Sequence, residues 1–504
     1  MAPKKKFKIA FMNVSRDYET APLNMMYLGT YIMKYVPNTE VRIIDCNYED
    51  IFESAKRYKP DMFCFTTYTV KWNLTKKFVR KLKGMFPGVP ILAGGVHISA
   101  NPQSFADKDC YFDIGVISEG EETFEELVNI YLGKGKFSGP DLKKVKGVVY
   151  RSKKGLVYTE SRPFIQDLDK VPIPNRNLLN SAYFKPKVSI NKNWNQDKVV
   201  ETCLMTSRGC PYDCFFCFAA AFWKKVRFHS VERVIEEIKY LVEDFGVNFI
   251  VVYDDMFITH KKRLRQIIDA LKEADLLGKI KFAVQFRANE VDDELCKLAK
   301  ELNVITVNFG FESGSDKILQ FLKGPTVDVE KMKKAIIKCQ EYGFNVSGSM
   351  MFGTPGETKT DMYKSLAFMD FLIQRKVQAC WCGVSTPLPM TKMWHYGVKH
   401  GYISQDFKDW DLLDPAYIHH PFFIQDYMTQ KDFVKIMKQA KRKSMFIDIG
   451  RHPTWKRKLV DQVYYNKLLF HLFLNIFLKF KPAIRWKLVN LVGMRGTFIN
   501  HIDD

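Results

Sequence analysis

The sequence predicts an α/β protein in which two parallel βα series follow one another. A doubly wound sheet comes first, then an open partial (β/α)6 barrel, then a mainly helical C-terminal region. Three observations carry this. Short apolar runs alternate with amphipathic stretches over residues 7–128, and the same rhythm resumes at residue 200. Such runs suit strands buried on both faces and joined by crossover helices. Between the two series the chain is turn-rich, and Pro172 and Pro174 bar a helix, so residues 133–199 read as a linker. A length of 504 residues suits two or three domains, drawn at 1–132, 200–386 and 387–504 around that linker.

In the first series, strands are expected at residues 8–12, 40–45, 62–66, 90–93 and 114–117, with helices such as 73–86 and 121–132 between them. A doubly wound sheet binds its ligand at the C-terminal ends of the strands. There stand Ala93-Gly94-Gly95-Val96-His97 and Ser118-Glu119-Gly120-Glu121. Glycines at these places permit close approach of backbone to a ligand. On their own these pairs are a weak signal, and His97 reads equally well as the cap of its own loop. The linker contains a hairpin, residues 147–151 and 156–159, before the extended proline segment.

The second series has strands at 201–206, 248–253, 281–286, 305–311, 346–352 and 378–385, separated by helices at 231–245, 261–274, 292–302, 329–342 and 360–375. Six units in about 185 residues fit an open barrel better than a closed eightfold one, and barrel sites form where strands end. Those ends carry Tyr253-Asp254-Asp255, Gln285 with Arg287, Gly310-Phe311-Glu312-Ser313-Gly314 and Gly353-Thr354-Pro355-Gly356-Glu357. Arg287 can pair a carboxylate bidentately, and Glu312 can accept from an ammonium or a ribose. Singly, each reads as well as an ordinary loop.

The first of these strands runs into Thr206-Ser-Arg-Gly-Cys-Pro-Tyr-Asp-Cys-Phe-Phe-Cys-Phe218, where Cys210, Cys214 and Cys217 have C-x3-C-x2-C spacing. Gly209 and Pro211 keep this segment a loop, so three sulfurs can converge. Thiolates so spaced select an iron–sulfur cluster or zinc. Zinc wants a fourth ligand at comparable spacing, and none is near: His229 is twelve residues on and Cys203 lies on the preceding strand. Three ligands on a four-iron cluster leave one iron open to a substrate or cofactor. Structural zinc and free thiols are the alternatives.

This loop, with aromatic Phe216 before its last cysteine, resembles the cluster loop of the radical S-adenosylmethionine superfamily. The resemblance implies a [4Fe-4S] cluster on Cys210, Cys214 and Cys217 whose open iron takes the amino and carboxylate groups of S-adenosylmethionine. Reductive cleavage, with ferredoxin or flavodoxin as donor, then yields a 5′-deoxyadenosyl radical. The cofactor carries that chemistry while the protein binds, orients and excludes side reactions. It further implies that Phe216 and the backbone near it contact adenine. Glu312, Ser313 and the Gly353–Gly356 turn meet the methionine end or the ribose, as does Arg287. Upstream, G-G-x-H followed by D-x-G-V-x-x-x-E-G-E-E-T-F resembles the cobalamin-binding domain fused to many of these enzymes, which implies cobalamin against Gly94, Gly95, His97, Glu119 and Gly120. The D-x-H-x-x-G string that gives cobalt a histidine does not occur, so a ligand of that type is not expected. Thr386-Pro-Leu-Pro-Met-Thr391 resembles the family's P-L-P-G-T segment, with Met390 in place of glycine.

The function implied is that of a cobalamin-dependent enzyme acting at an unactivated carbon, first as a methylase of a hydrophobic or lipid-like small molecule. A ring-forming reaction on a lipid or porphyrin-like substrate is second. A transfer-RNA methylthiotransferase is third: the net charge of +21 favours nucleic acid, but the second cysteine triad of those enzymes has no counterpart in the scattered Cys46, Cys64 and Cys110. Eleven cysteines without paired spacing outside the loop imply a reducing cytoplasm. No signal peptide is expected from Met1-Ala-Pro-Lys-Lys-Lys. Cys380 and Cys382 flank Trp381 and read as packing residues rather than a second metal site. Residues 468–478 are densely apolar, flanked by basic residues and too short to span a bilayer. They suit either an interfacial anchor on an anionic membrane or a helix packed on the barrel.

Overall fold

The structure is a computed structural model, and it describes residues 6–14, 21–186, 198–223, 225–257 and 260–449. The candidate anchor at 468–478 lies outside the described residues. The first sheet is built from β1 (Phe7–Asn13), β2 (Thr39–Asp45), β3 (Met62–Thr66), β4 (Ile91–Gly94) and β5 (Ile114–Val116), parallel and in the order β2-β1-β3-β4-β5. The chain adds β2 on one side of β1 and β3 to β5 on the other, so the strand order reverses between β1 and β3, the switch point where doubly wound sheets open a crevice.

Helices α1 (Leu23–Tyr35), α2 (Ile51–Tyr58), α3 (Trp72–Met85), α4 (Val96–Ala100) and α5 (Glu121–Lys134) cover both faces. Along β1, Ile9 and Phe11 enter one core with α1 and α5, while Ala10 and Met12 enter the opposite core with α2 and α3. That two-sided burial is why the strands read as unbroken apolar runs.

After the short helix α6 (Gly139–Leu142) comes the hairpin β6 (Val148–Ser152) and β7 (Gly155–Tyr158). The sequence reading places this hairpin in the linker. Instead β6 pairs antiparallel with β5 and makes the sheet seven-stranded. Val148 and Val149 are fully buried, so the hairpin covers an edge that would otherwise expose unpaired backbone.

The following linker residues, up to 186, pack against the α1–α5 core of the first sheet through Leu168, Val171 and Tyr183, and Phe184 touches both that core and the barrel core. Arg176 is fully buried and donates to Glu237 at 2.7 Å and to the Cys203 carbonyl at 2.9 Å, with Met26 sulfur 3.9 Å away.

The second sheet holds β8 (Glu201–Leu204), β11 (Phe249–Val252), β12 (Lys281–Phe286), β13 (Val304–Glu312), β14 (Asn345–Phe352) and β15 (Ala379–Val384), all parallel and consecutive in space. A two-residue ribbon, β9 (Ser207–Arg208) against β10 (Arg227–Phe228), brackets the cysteine loop and its helix α7 (Phe218–Phe222).

Outside the barrel run α8 (Val231–Phe245), α9 (Lys261–Glu273), α10 (Asp293–Glu301), α11 (Asp316–Lys323), α12 (Val329–Glu341) and α13 (Lys359–Gln374). Ser230, Asp292, Asp328 and Thr358 cap four of them with side-chain oxygens on backbone N–H groups. Helix α14 (Lys392–Lys399) lies beside the cysteine loop, and α15 (Gln430–Ile449) buries Phe433, Ile436, Met437 and Ala440 against the barrel core. No helix among the described residues is long and apolar enough to cross a membrane.

Candidate active site

The C-terminal strand ends of both sheets open on one cavity of about 330 Å³. From the first sheet it takes Gly94, Gly95, Glu119 and Gly120, and its depth is apolar, lined by Phe11, Leu92, Val116 and Phe124 between the sheet and helices α1 and α5. From the barrel it takes Arg208, Trp223, Tyr253 and Asp255.

Gly94 and Gly95 serve differently. A Cβ on Gly94 would meet nothing within 4 Å, whereas Gly95 has φ +95° and a Cβ there would lie 3.0 Å from the Thr67 nitrogen. Gly94→Trp is therefore expected to fill the cavity without breaking the turn. It should eliminate cobalamin uptake, measured by absorbance of the reconstituted protein, with iron content unchanged. Gly95→Trp should remove uptake too, but at the cost of the turn from β4 into α4.

His97 is not part of that cavity wall. Its ring turns into the opposite core, between Trp72 at 4.5 Å and Trp410 at 5.1 Å, with Nε2 3.0 Å from Ser104 Oγ. Burial holds its pKa down to about 3, so the ring is neutral. Glu119 lines the cavity but is engaged by Arg208 at 2.5 Å and Arg227 at 2.9 Å, and it accepts from the Ile165 N–H. Arg208 also reaches Glu121 at 2.6 Å. Arg208 is absent from the sequence reading; its position two residues before Cys210 was the available signal.

Several contacts that use no sulfur fix the cysteine loop. Gly209 N–H donates to Asp255 at 3.0 Å, Phe215 N–H donates to the Leu322 carbonyl at 2.8 Å, and Met393 N–H donates to the Phe215 carbonyl at 3.0 Å. Lys392 pairs with Asp213. Gly209 has φ +107°, and a Cβ there would meet the Lys225 carbonyl oxygen at 2.7 Å, so only glycine fits.

The Cys210 thiol is pushed up to about 11, by burial first and then by the neighbouring Cys217 and Cys214, so the three sulfurs share one electrostatic neighbourhood. The donor set, all thiol and half-buried, suits iron–sulfur chemistry.

A continuous chain of contacts leads from the loop into the barrel. Arg287 donates to Cys214 Sγ at 3.4 Å and to the Lys323 carbonyl at 2.8 Å, and it stacks 3.9 Å over the Tyr212 ring. Here it faces a cysteine sulfur rather than a carboxylate. Lys323, missed in the sequence, donates to the Gly310 carbonyl at 2.7 Å and stands 3.5 Å from Glu312.

Glu312 sits at a bulge with φ +57°, its carboxyl folded back over Gly310; a Cβ on Gly310 would lie 2.0 Å from Oε1. Burial raises the Glu312 pKa, opposed by Lys323. Strained backbone of this kind gathers at functional sites. Ser313 faces away, 3.2 Å from Ser365 on α13. Phe216 is half-buried against the core that the α2–α3 side of the first sheet shares with Trp410, Phe422 and Phe423.

Gly353 and Gly356, both at φ +77°, form a turn around Glu357, which accepts from the N–H groups of Gly353 at 2.6 Å and Thr354 at 3.0 Å. Those two donors are thereby committed within the turn. Glu357 is fully buried and its pKa is raised to about 8, by burial first. The folded state then holds a proton that the unfolded chain releases near 4.5, so this carboxyl's contribution to stability is complete below about 4.5 and is lost as pH rises through about 8. Melting temperature measured across that window should fall less steeply in Glu357→Gln than in the wild type.

Met390 has φ +71°, the left-handed region that the glycine of the P-L-P-G-T segment would occupy freely. Cys380 is in the barrel core and Cys382 points at Met369 and α15, with Trp381 on the other face, so the pair packs and does not converge.

Residues 204–369 match the family model of the radical SAM superfamily, and residues 9–128 match that of the B12 binding domain. An uncharacterized methyltransferase of Pyrococcus horikoshii is 30% identical over 402 residues, covering 78% of this chain and 82% of that protein. The chain belongs to the radical SAM superfamily, in the branch with a B12-binding domain. The bacteriochlorophyllide d C-8(2)-methyltransferase of Chlorobaculum tepidum is 23% identical, with 94% of each chain covered. Among solved structures, the cobalamin-dependent S-adenosylmethionine radical enzyme OxsB, with aqua-cobalamin and S-adenosylmethionine bound, superposes with a TM-score of 0.68 at 17% identity, over 97% of this chain and 75% of that one. The cofactors of this radical SAM enzyme are accordingly a [4Fe-4S] cluster, S-adenosylmethionine and cobalamin. The apolar depth of the cavity fits the flat aromatic base of cobalamin's nucleotide tail, and the open space at Gly94 leaves its mouth clear.

Proposed function

We propose that this enzyme transfers a methyl group to an unactivated carbon of a small, largely hydrophobic molecule. The supporting observation is the single cavity walled by both the glycine loops of the first sheet and the barrel residues Arg208, Trp223, Tyr253 and Asp255 beside the cysteine loop. Cys210, Cys214 and Cys217 hold the cluster, and Arg287, Glu312 and the Gly353–Gly356 turn surround S-adenosylmethionine. When bound, these cofactors supply the radical that removes a substrate hydrogen and the methyl group that replaces it.

The chain's own residues hold the reactants and exclude water. Side chains that alternate away from the buried, helix-facing ones line the barrel lumen. Gln285, Asn308 and Ser347 stand level on neighbouring strands, with Asn308 hydrogen-bonded to Ser347. On the next strand, β11, Phe249 and Val251 share that face, and Trp381 of β15, level with Ser349, is 54% exposed. An apolar body with one hydrogen-bonding edge suits such walls. A lipid-like substrate with peripheral attachment to the inner face of a membrane would draw on residues 468–478, outside the described residues. The eight cysteines outside the cluster loop are not paired in disulfides, in keeping with a cytoplasmic site and a ferredoxin or flavodoxin donor.

The deciding experiment uses S-adenosylmethionine with a trideuterated methyl group and anaerobically reconstituted enzyme. Methyl transfer puts the label into recovered cobalamin and forms S-adenosylhomocysteine beside 5′-deoxyadenosine. Label-free cobalamin with 5′-deoxyadenosine as sole cleavage product would favour a ring-forming reaction instead.

A further inference from the structure

The sequence singles out His97, and the cavity does not use it. Its backbone belongs to the cavity loop: His97 N–H donates to the Thr67 carbonyl at 3.0 Å, and Thr67 N–H donates to the Gly94 carbonyl at 2.8 Å. Its ring belongs to a column of aromatic rings that leaves the first sheet. Trp72 lies on one side at 4.5 Å and is itself stacked on Phe112 at 5.6 Å. Trp410 meets the other side edge-on at 5.1 Å and stacks on Trp394 at 6.0 Å, with Phe407 packed against both tryptophans. His97, Trp72 and Trp410 are all at most 3% exposed.

Trp394 is in α14, whose Met393 N–H holds the Phe215 carbonyl and whose Lys392 holds Asp213, both within the cysteine loop. Phe215 also packs against Tyr396 of the same helix. Gly94 and Cys214 are thus joined by an unbroken series of contacts running through residues more than 300 positions apart in sequence: Gly94, Thr67, His97, Trp410, Trp394 with Met393, and Phe215. Asn73 on α3 adds a hydrogen bond to Asp411, next to Trp410, at 3.2 Å.

We infer that His97 is a positioning residue that sets the spacing between the cobalamin loop and the cluster loop, acting through Trp410 and α14 rather than by touching either cofactor. This rests on the proposed function, in which both cofactors are bound at once. Packed rings transmit such a constraint because close-packed cores shift between discrete arrangements instead of deforming smoothly. The imidazole suits the place because it is flat, neutral when buried, and anchored at one end by Ser104, which also accepts from Asn101 at 2.6 Å.

The test is the electron-spin relaxation of cob(II)alamin in holoenzyme whose cluster is reduced, since a paramagnetic cluster accelerates that relaxation through space and the acceleration falls steeply with distance. His97→Ala should keep both cofactors yet lose the acceleration, and His97→Phe, which keeps a ring against Trp72 and Trp410, should restore it. If His97→Ala fails to fold, Trp410→Ala removes the column from the other side and should show the same loss. A loaded His97→Ala or Trp410→Ala enzyme with wild-type relaxation overturns the inference. So does a His97→Phe enzyme as impaired as His97→Ala, because the hydrogen bond to Ser104 would then be what matters. A wild type that takes up its cluster but no cobalamin overturns the proposed function instead.

Discussion

Cys210→Ala, Cys214→Ala and Cys217→Ala should each give a folded protein with no intact cluster and with S-adenosylmethionine cleavage at background. Folding should survive because the loop is held by Asp255, the Leu322 carbonyl and Met393, and none of these contacts involves sulfur. The cluster should not survive, because two remaining thiolates leave a second iron open to water and exchange. Iron and sulfide analysis, with 5′-deoxyadenosine assayed after anaerobic reduction, measures both. Cys203→Ala and Cys382→Ala are the controls: Cys203 is buried between the two sheets and Cys382 faces α13 and α15, so both variants should retain iron. Full iron in any of the three loop variants would sink the assignment of ligands.

The second large effect is expected at Arg208. Its guanidinium bridges Glu119 and Glu121, all three at most 8% exposed, and so ties the first sheet to the residue preceding the cysteine loop. Arg208→Ala strands Glu121 without its arginine in a dry setting. Breaking a buried pair from one side costs roughly 3–5 kcal/mol. Thermal unfolding should shift strongly downward and cobalamin retention should fall with it, since Arg208 is part of the cavity wall. Arg208→Lys should recover little, because an ammonium cannot span two carboxylates as a planar fork does. Arg208→Met combined with Glu121→Gln should recover more than either substitution alone, because the orphaned charge is removed with its partner. An Arg208→Ala protein with wild-type melting would show that the bridge contributes nothing to stability.

What the sequence discloses follows the range of the physics involved. Strands buried on both faces must be apolar along their length, so β1 to β5 and the barrel strands stand out by local pattern. The C-x3-C-x2-C loop is legible because its chemistry lies within eight residues. Partners chosen across the chain are not legible. Arg208 meets Glu119 over a separation of 89 residues, and nothing local marks either as buried. His97 lies in a motif that suggests a ligand contact, but the direction of its ring is decided by Trp72 and by Trp410, more than 300 residues later. The hairpin β6–β7 was visible as a hairpin, whereas its pairing with β5 depends on which edge is free in the assembled sheet. The sequence presents Glu312 as an acceptor for an ammonium or a ribose. Its left-handed backbone and its place over Gly310 come from a bulge between β13 and β14 that only the paired register creates.

Arg176 bears on how such enzymes can be recombined. It sits in a stretch without α-helix or strand that looks like an obvious splice site, yet one buried guanidinium there answers to Glu237 and Cys203 on the barrel side and lies against Met26 on the other. A hybrid that joins the first sheet of one relative to the barrel of another, with its crossover between Arg176 and Cys203, would inherit the arginine from one parent and the glutamate from the other. Where the two parents differ at either place, the graft buries an unmatched charge at its seam. The workable crossover is therefore upstream of residue 162, so that the whole thread travels with the barrel, and what has to be matched is α1 at Met26, the α5 side at Glu119, Glu121, Glu122 and Glu126, and Asp45 at the end of β2.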